Sequence, residues 1–139
     1  MALKLLALEL HQQGIPLSDI ARAAGTHRQA VRRWVYEEEA MPANGRGEEV
    51  FRRLLALRDE HRRAEEKILI AMLKSKRALG PAALAKAAGL PPRRVRACLE
   101  SLIRRGLVRS SLFRTFSLTP EGVAEARWAN SQGDVRFLP

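Results

Sequence analysis

The amino-acid sequence predicts a mostly α-helical chain: three short helices, a linker helix, then three more helices interrupted by two short strands. Three observations carry this. Apolar residues recur at steps of three and four, and no strand-like alternation occurs before residue 106. Glycine and proline fall where helices would stop and start. The stretch Ala40-Met-Pro-Ala-Asn-Gly-Arg-Gly47 disfavours helix and separates two units. Neither unit, at about 60 residues, can bury more than a marginal core alone, so each must be a compact module or lean on a neighbour.

The first helix is expected over residues 3–13, where Leu5, Leu6, Leu8 and Leu10 sit beside Lys4, Glu9, Gln12 and Gln13; Gly14 ends it. Pro16 opens the second, which runs to Ala24 with Leu17, Ile20, Ala21 and Ala24 inward. Gly25 makes a sharp turn. Thr26 is a suitable N-cap for a third helix reaching about Glu38. From Glu48 a helix resumes, with a possible break near Arg62-Arg63. Val50, Leu54, Leu57, His61, Ala64, Ile68 and Ala71 form a heptad-like seam on it. That seam suits either packing on the chain's own body or a homodimer contact through the residue 48–73 helix.

Lys74-Ser-Lys-Arg-Ala-Leu-Gly80 reads as a basic loop. Pro81 starts a helix to Ala88, and Gly89 turns the chain. Pro91 and Pro92 open a helix to about Arg105, with Val95, Cys98, Leu99, Leu102 and Ile103 as its core face; Gly106 terminates it. Leu107 to Arg109 and Leu112 to Leu118 read as two strands joined tightly at Ser110-Ser111. Thr119-Pro120-Glu121 combines a capping hydroxyl, a first-turn proline and a first-turn acid. The helix it begins carries Val123, Ala124 and Trp128, and residues 129–139 read as a loose tail. No tandem repeat stands out.

The formal charge is +10 with a sequence pI near 11.1. Residues 64–139 hold 14 Lys/Arg against 6 Asp/Glu, a net of +8, whereas residues 1–47 hold 6 against 5. Such an excess points to a polyanion, nucleic acid or an acidic membrane surface. The single cysteine, Cys98, excludes an internal disulfide and fits a reducing, cytoplasmic setting; the DNA-binding reading given below adds association with the nucleoid. One Cys and the scattered His11, His27 and His61 lack metal-ligand spacing, so no metal or other cofactor is expected. No apolar run approaches the roughly 20 residues of a membrane span. There is no Gly-rich phosphate loop, spaced carboxylate set or Ser/His/Asp arrangement, so an enzyme is not expected.

Two stretches carry the functional reading. In the first, Ala21 is the small residue where two helices cross, Gly25 the turn, and Ile20, Ala24, Val31 and Trp34 the lock. This leaves His27, Arg28, Gln29, Arg32 and Arg33 facing out, residue types suited to base edges and phosphates. Glu37, Glu38 and Glu39 would repel phosphate and belong away from a duplex. The stretch Ile20-Ala-Arg-Ala-Ala-Gly-Thr-His-Arg-Gln-Ala-Val-Arg-Arg-Trp34 resembles the helix-turn-helix of homeodomain-like bacterial regulators, resolvases and transposases, over residues 3–38.

In the second, Leu84-Ala-Lys-Ala-Ala-Gly-Leu90, Leu102-Ile-Arg-Arg-Gly-Leu-Val108 and Leu118-Thr-Pro-Glu-Gly122 resemble the MarR-type winged helix, over residues 64–128. The resemblance implies that the helix from Pro92 lies in the major groove, exposing Arg93, Arg94, Arg96 and Ala97. Arg109 and Arg114 on the wing strands would reach the DNA backbone, and Lys74, Lys76 and Arg77 would clamp phosphates. The departure is a short wing: Ser110, Ser111 and Leu112 leave little room for a long basic tip.

The organisation expected is thus a helix-turn-helix at 1–41, a linker and connecting helix at 42–63, a winged helix-turn-helix at 64–128 and a tail at 129–139. The function expected is sequence-specific binding of double-stranded DNA, as a transcriptional regulator. Two alternatives stand beside it. One is a non-regulatory DNA-binding factor in replication, partition, recombination, transposition or phage function. The other is a winged-helix adaptor for protein or RNA.

Overall fold

A computed structural model describes residues 2–36, 47–75 and 77–136. The expected chain break at residues 40–46, the glutamates at 37–39 and Lys76 lie outside the described residues. The element order is α1 (Ala2–Gln12), α2 (Leu17–Ala24), α3 (Arg28–Tyr36), α4 (Gly47–Lys74), α5 (Pro81–Ala88), α6 (Pro92–Arg104), β1 (Val108–Ser110), β2 (Phe116–Leu118) and α7 (Pro120–Arg136). The chain is mostly helical, with one small antiparallel sheet, as its sequence predicts. It divides into two compact units, Met1–His61 and Arg62–Pro139.

In the first unit α1, α2 and α3 pack on one another. Leu6, Ala7 and Leu10 form the buried stripe of α1, at the three-to-four spacing of one helix face. Leu5 is exposed, because it lies off that stripe. Ile15, Ile20, Val31 and Trp34 complete the core, and Leu54 and Leu57 of α4 close it. Arg58 Nη1 lies 3.7 Å from Glu9 Oε2 at the edge.

The second unit buries Ala64, Ile68, Leu69 and Met72 of α4 with Leu84, Val95, Cys98, Leu99, Leu102, Leu107 and Ala126. α4 is continuous through Arg62 and Arg63, so no break occurs there. Most of its heptad-like seam is buried within the single chain: Leu54, Leu57, His61, Ala64 and Ile68. That face of the helix is spent on the chain's own cores.

β1 and β2 pair antiparallel, Val108 with Leu118 and Ser110 with Phe116. The second strand begins at Phe116, not Leu112, and the connection spans residues 111–115 rather than Ser110-Ser111. Leu79, expected in a basic loop, adds a bridge to Phe116 through two backbone hydrogen bonds of 3.1 and 2.8 Å. α7 runs to Arg136, so the expected loose tail is helical through that residue, and Trp128 is exposed where Ala126 and Ala129 are buried.

The return from the sheet depends on one close approach. Thr119 Oγ1 accepts the Gly122 N–H at 3.0 Å, capping α7, and donates to the Gly106 carbonyl at 2.6 Å. The Thr119 N–H also donates to the Leu107 carbonyl. A side-chain carbon at position 122 would lie 1.9 Å from that Leu107 oxygen. Backbone meets backbone there, so no flexible side chain can yield. Gly122→Ala should therefore cost about 1–3 kcal/mol or more by overpacking, read as a lower urea midpoint. Thr119→Ala should cost about 1 kcal/mol from the lost cap. An unchanged midpoint for Gly122→Ala would refute the close approach.

Candidate nucleic-acid interface

α2 ends at Gly25, whose φ of 75° is left-handed, and the Gly25 backbone N–H caps carbonyls of Ala21 and Arg22. Residues with a Cβ pay for that conformation, and glycine does not. The turn allows α3 to start three residues later. Its N-cap is His27 rather than Thr26: His27 Nδ1 accepts the Ala30 N–H at 3.3 Å. This ties one ring nitrogen of a residue expected to face a ligand, leaving Nε2 for that purpose. Ala30, Val31, Trp34 and Val35 are buried beneath α3, whereas His27, Arg28, Gln29, Arg32 and Arg33 are exposed.

α5 and α6 repeat this construction. Gly89 has φ 67°, and it caps carbonyls of Ala85 and Lys86. Counting 64 residues along, Ile20 matches Leu84, Ala21 matches Ala85, Arg22 matches Lys86, Gly25 matches Gly89, Val31 matches Val95 and Arg32 matches Arg96. Ile20, Leu84, Val31 and Val95 are all fully buried, and Arg32 and Arg96 are both exposed. A repeat is therefore present. Contiguous identity is short, but the pattern shows once the two glycine turns are aligned.

On α6, Arg93 and Arg96 are exposed and Arg94 is half-buried. Ala97, expected on the outer face, is 6% exposed and belongs underneath; Ile103, expected in the core, is 39% exposed. Both corrections rotate the apolar stripe of α6 slightly. Lys74, Arg77, Arg109 and Arg114 are all exposed. Residues 67–119 carry twelve Lys or Arg and a single acid, Glu100. Most of these twelve cations lie from the end of α4 to the start of α5, on and just after α6, and on the strand pair and its turn. Sequence reasoning overlooked the turn between the strands, where Leu112 and Phe113 are 99% and 88% exposed. Their apolar character suggested a strand, and the polar signal of Ser111 and Thr115 as turn residues was there to be read.

α6 is held from behind by Glu65 of α4. Its Oε2 accepts from Arg105 Nη1 at 2.8 Å and from Ser101 Oγ at 3.3 Å. Burial pushes the Glu65 carboxyl above the usual carboxylate range, and the opposing pull of Arg105, Ser101 and Arg62 does not fully offset it. Arg105 is half-exposed, which weakens its counter-charge. Cys98, also under α6, has its thiol pushed up to about 12, first by burial and then by the Glu65 charge.

A family model for the IclR helix-turn-helix domain matches residues 67–112. These residues span the end of α4, all of α5, α6 and β1, and the start of the turn. The second unit contains a helix-turn-helix domain of the DNA-binding kind. No curated protein and no solved structure matches the chain. Among the described residues no helix is long and apolar enough to cross a membrane, and no three His, Cys, Asp or Glu residues group as a metal site needs.

The Glu65 lock has a pH signature. A carboxyl raised on folding binds its proton more tightly folded than unfolded, so stability falls as pH rises. The contribution is complete below the ordinary carboxylate range and is lost as pH climbs through the raised folded value. Glu65→Gln should flatten the urea midpoint between about pH 4 and pH 8 relative to the native protein. Equal slopes for the two proteins would contradict a raised value. Native Cys98 should resist alkylation at neutral pH and react on unfolding; fast labelling of the folded chain would show that it is neither buried nor raised.

Proposed function

We propose that the chain is a sequence-specific double-stranded DNA-binding protein that acts as a transcriptional regulator. The single observation that carries this is the domain at residues 67–112, whose second helix turns its apolar side inward and its arginines outward. A helix so mounted fits the major groove, where Arg pairs bidentately with guanine.

In this reading α6 reads bases with Arg93 and Arg96, and Arg94 supports it at the rim. Lys74, Lys76, Arg77, Arg109 and Arg114 neutralise phosphates. The first unit, with the homeodomain- or resolvase-like order of small residue, glycine and buried lock, offers α3 as a second reader through Arg28, Gln29, Arg32 and His27 Nε2. The 64-residue correspondence supports treating the two alike. The likeness of the second unit to MarR-type winged helices rests on its order of elements and on the Leu118-to-Gly122 return. The match to the IclR domain supports the same kind of module under another family's name. A homodimer through residues 48–73 is not part of the proposal, since the seam is used within the chain.

Fluorescence anisotropy with labelled duplex, single-stranded DNA and single-stranded RNA tests the partner. Duplex should win at about 0.15 M salt, with a slope of log affinity against log salt of about −5 to −7 for six to eight phosphates. Duplex binding no better than RNA sinks the proposal. Selection from random duplexes should then show Arg28→Ala and Arg96→Ala each relaxing preference at a different part of the site, by about 1–3 kcal/mol per contacted base pair. Arg109→Ala should weaken all sequences alike and reduce the slope by about 1.

A further inference from the structure

The turn between β1 and β2 holds two large apolar side chains in solvent. Leu112 and Phe113 are 99% and 88% exposed, more than any other large hydrophobic residue described. Burial does not hold this turn in place. It is ordered by its own polar groups. Ser111 N–H donates to the Thr115 carbonyl at 2.9 Å, and Arg114 N–H donates to the Ser111 carbonyl at 3.2 Å. Ser111 Oγ accepts from the Phe113 N–H at 3.2 Å and pairs with Thr115 Oγ1 at 2.7 Å. Arg114 adopts φ 56°, a left-handed conformation that a side-chain-bearing residue takes at a cost. A chain seeking to hide Leu112 and Phe113 would not be tied in this way; the ties present them.

What surrounds the pair indicates the partner. Arg109 precedes it on β1 and Arg114 follows it, both exposed, and no acidic residue occurs between Glu100 and Glu121. β1 packs directly on α6, the arginine-bearing helix. An apolar tip inside a cationic frame is complementary to a polyanion with an apolar interior. Duplex DNA is such a partner: phosphates line the groove, and stacked bases lie beneath. Proteins that enter the minor groove insert Phe or Leu between base steps and kink the duplex, with pyrimidine–purine steps yielding most easily.

We infer that Leu112 and Phe113 form an apolar wedge that enters the minor groove of duplex DNA and unstacks a base step there. The inference rests on the DNA-binding reading above and adds a bend and a preference for deformable steps to it. The wedge needs no long basic tip, so the shortness of the turn is no obstacle.

The test uses the full chain and a duplex of about three helical turns. The duplex is A·T-rich with a central TA step, 2-aminopurine at that step and a donor–acceptor dye pair at its ends. A G·C-rich duplex is the comparison. The native chain should raise 2-aminopurine fluorescence and bring the ends closer on the first duplex. The double substitution Leu112→Ser with Phe113→Ser should abolish both signals and lower affinity about tenfold, with an unchanged salt slope. Both side chains are exposed, so the thermal melt should not move. If the variant unstacks and bends DNA as the native chain does, or if the native chain binds without either signal, the wedge is wrong and the DNA-binding reading stands. If DNA binding is unaltered and the substitutions instead change the sedimentation coefficient, the tip is a protein contact and the wedge is overturned. If the native chain binds neither duplex, both readings fall together.

Discussion

Two left-handed turns, at Gly25 and Gly89, set the geometry on which everything outward-facing depends. Each ends an eight-residue helix, and the next helix starts three residues later. The Val31 and Val95 side chains, each fully buried as the fourth residue of the next helix, then lock each one against its predecessor. Once that side is fixed, helical periodicity dictates the other. Arg32 and Arg96 follow a buried valine by one residue and so face solvent. The same physics, used twice, places a guanidinium at the same point of each unit.

α4 resolves a problem of size. Units of about 60 residues have little interior to spare. By running from Gly47 to Lys74, one helix supplies Leu54 and Leu57 to the first core and Ala64, Ile68, Leu69 and Met72 to the second. Its seam looks like a coiled-coil stripe for that reason: periodicity records that a face is covered, not by what. Glu65 breaks the apolar rule on this helix. A buried carboxylate is tolerable where charge-assisted hydrogen bonds receive it, and those from Arg105 and Ser101 tie α6 to α4.

The sheet is small because it has one task. Three residue pairs and the Leu79 bridge hold the base of the turn. Its far end is anchored by Thr119 and by the absence of a side chain at Gly122, so α7 can pass over the Leu107 carbonyl. The cationic excess lies on this framework: among residues 67–119 attraction to phosphate meets almost no opposing charge. That governs how readily a polyanion associates, whereas the shape of α6 and the turn governs which one fits.

The sequence by itself determined the helices, their stops and starts, the two glycine turns and the outward arginines. Each follows from rules acting within one element: periodicity, capping and backbone freedom at glycine. Thr119-Pro120-Glu121 and Pro81 were legible for the same reason. Only the tertiary structure decided which stripes were covered and by what. It put Ala97 under α6 and Ile103 at its edge, took the α4 seam into the chain's own cores, and made Leu79 a third strand position. It also left Leu112 and Phe113 in solvent, where local apolar character argued for a strand. Residues far apart along the chain decide such matters through excluded volume and hydrogen-bond partners, and no local pattern encodes those distances.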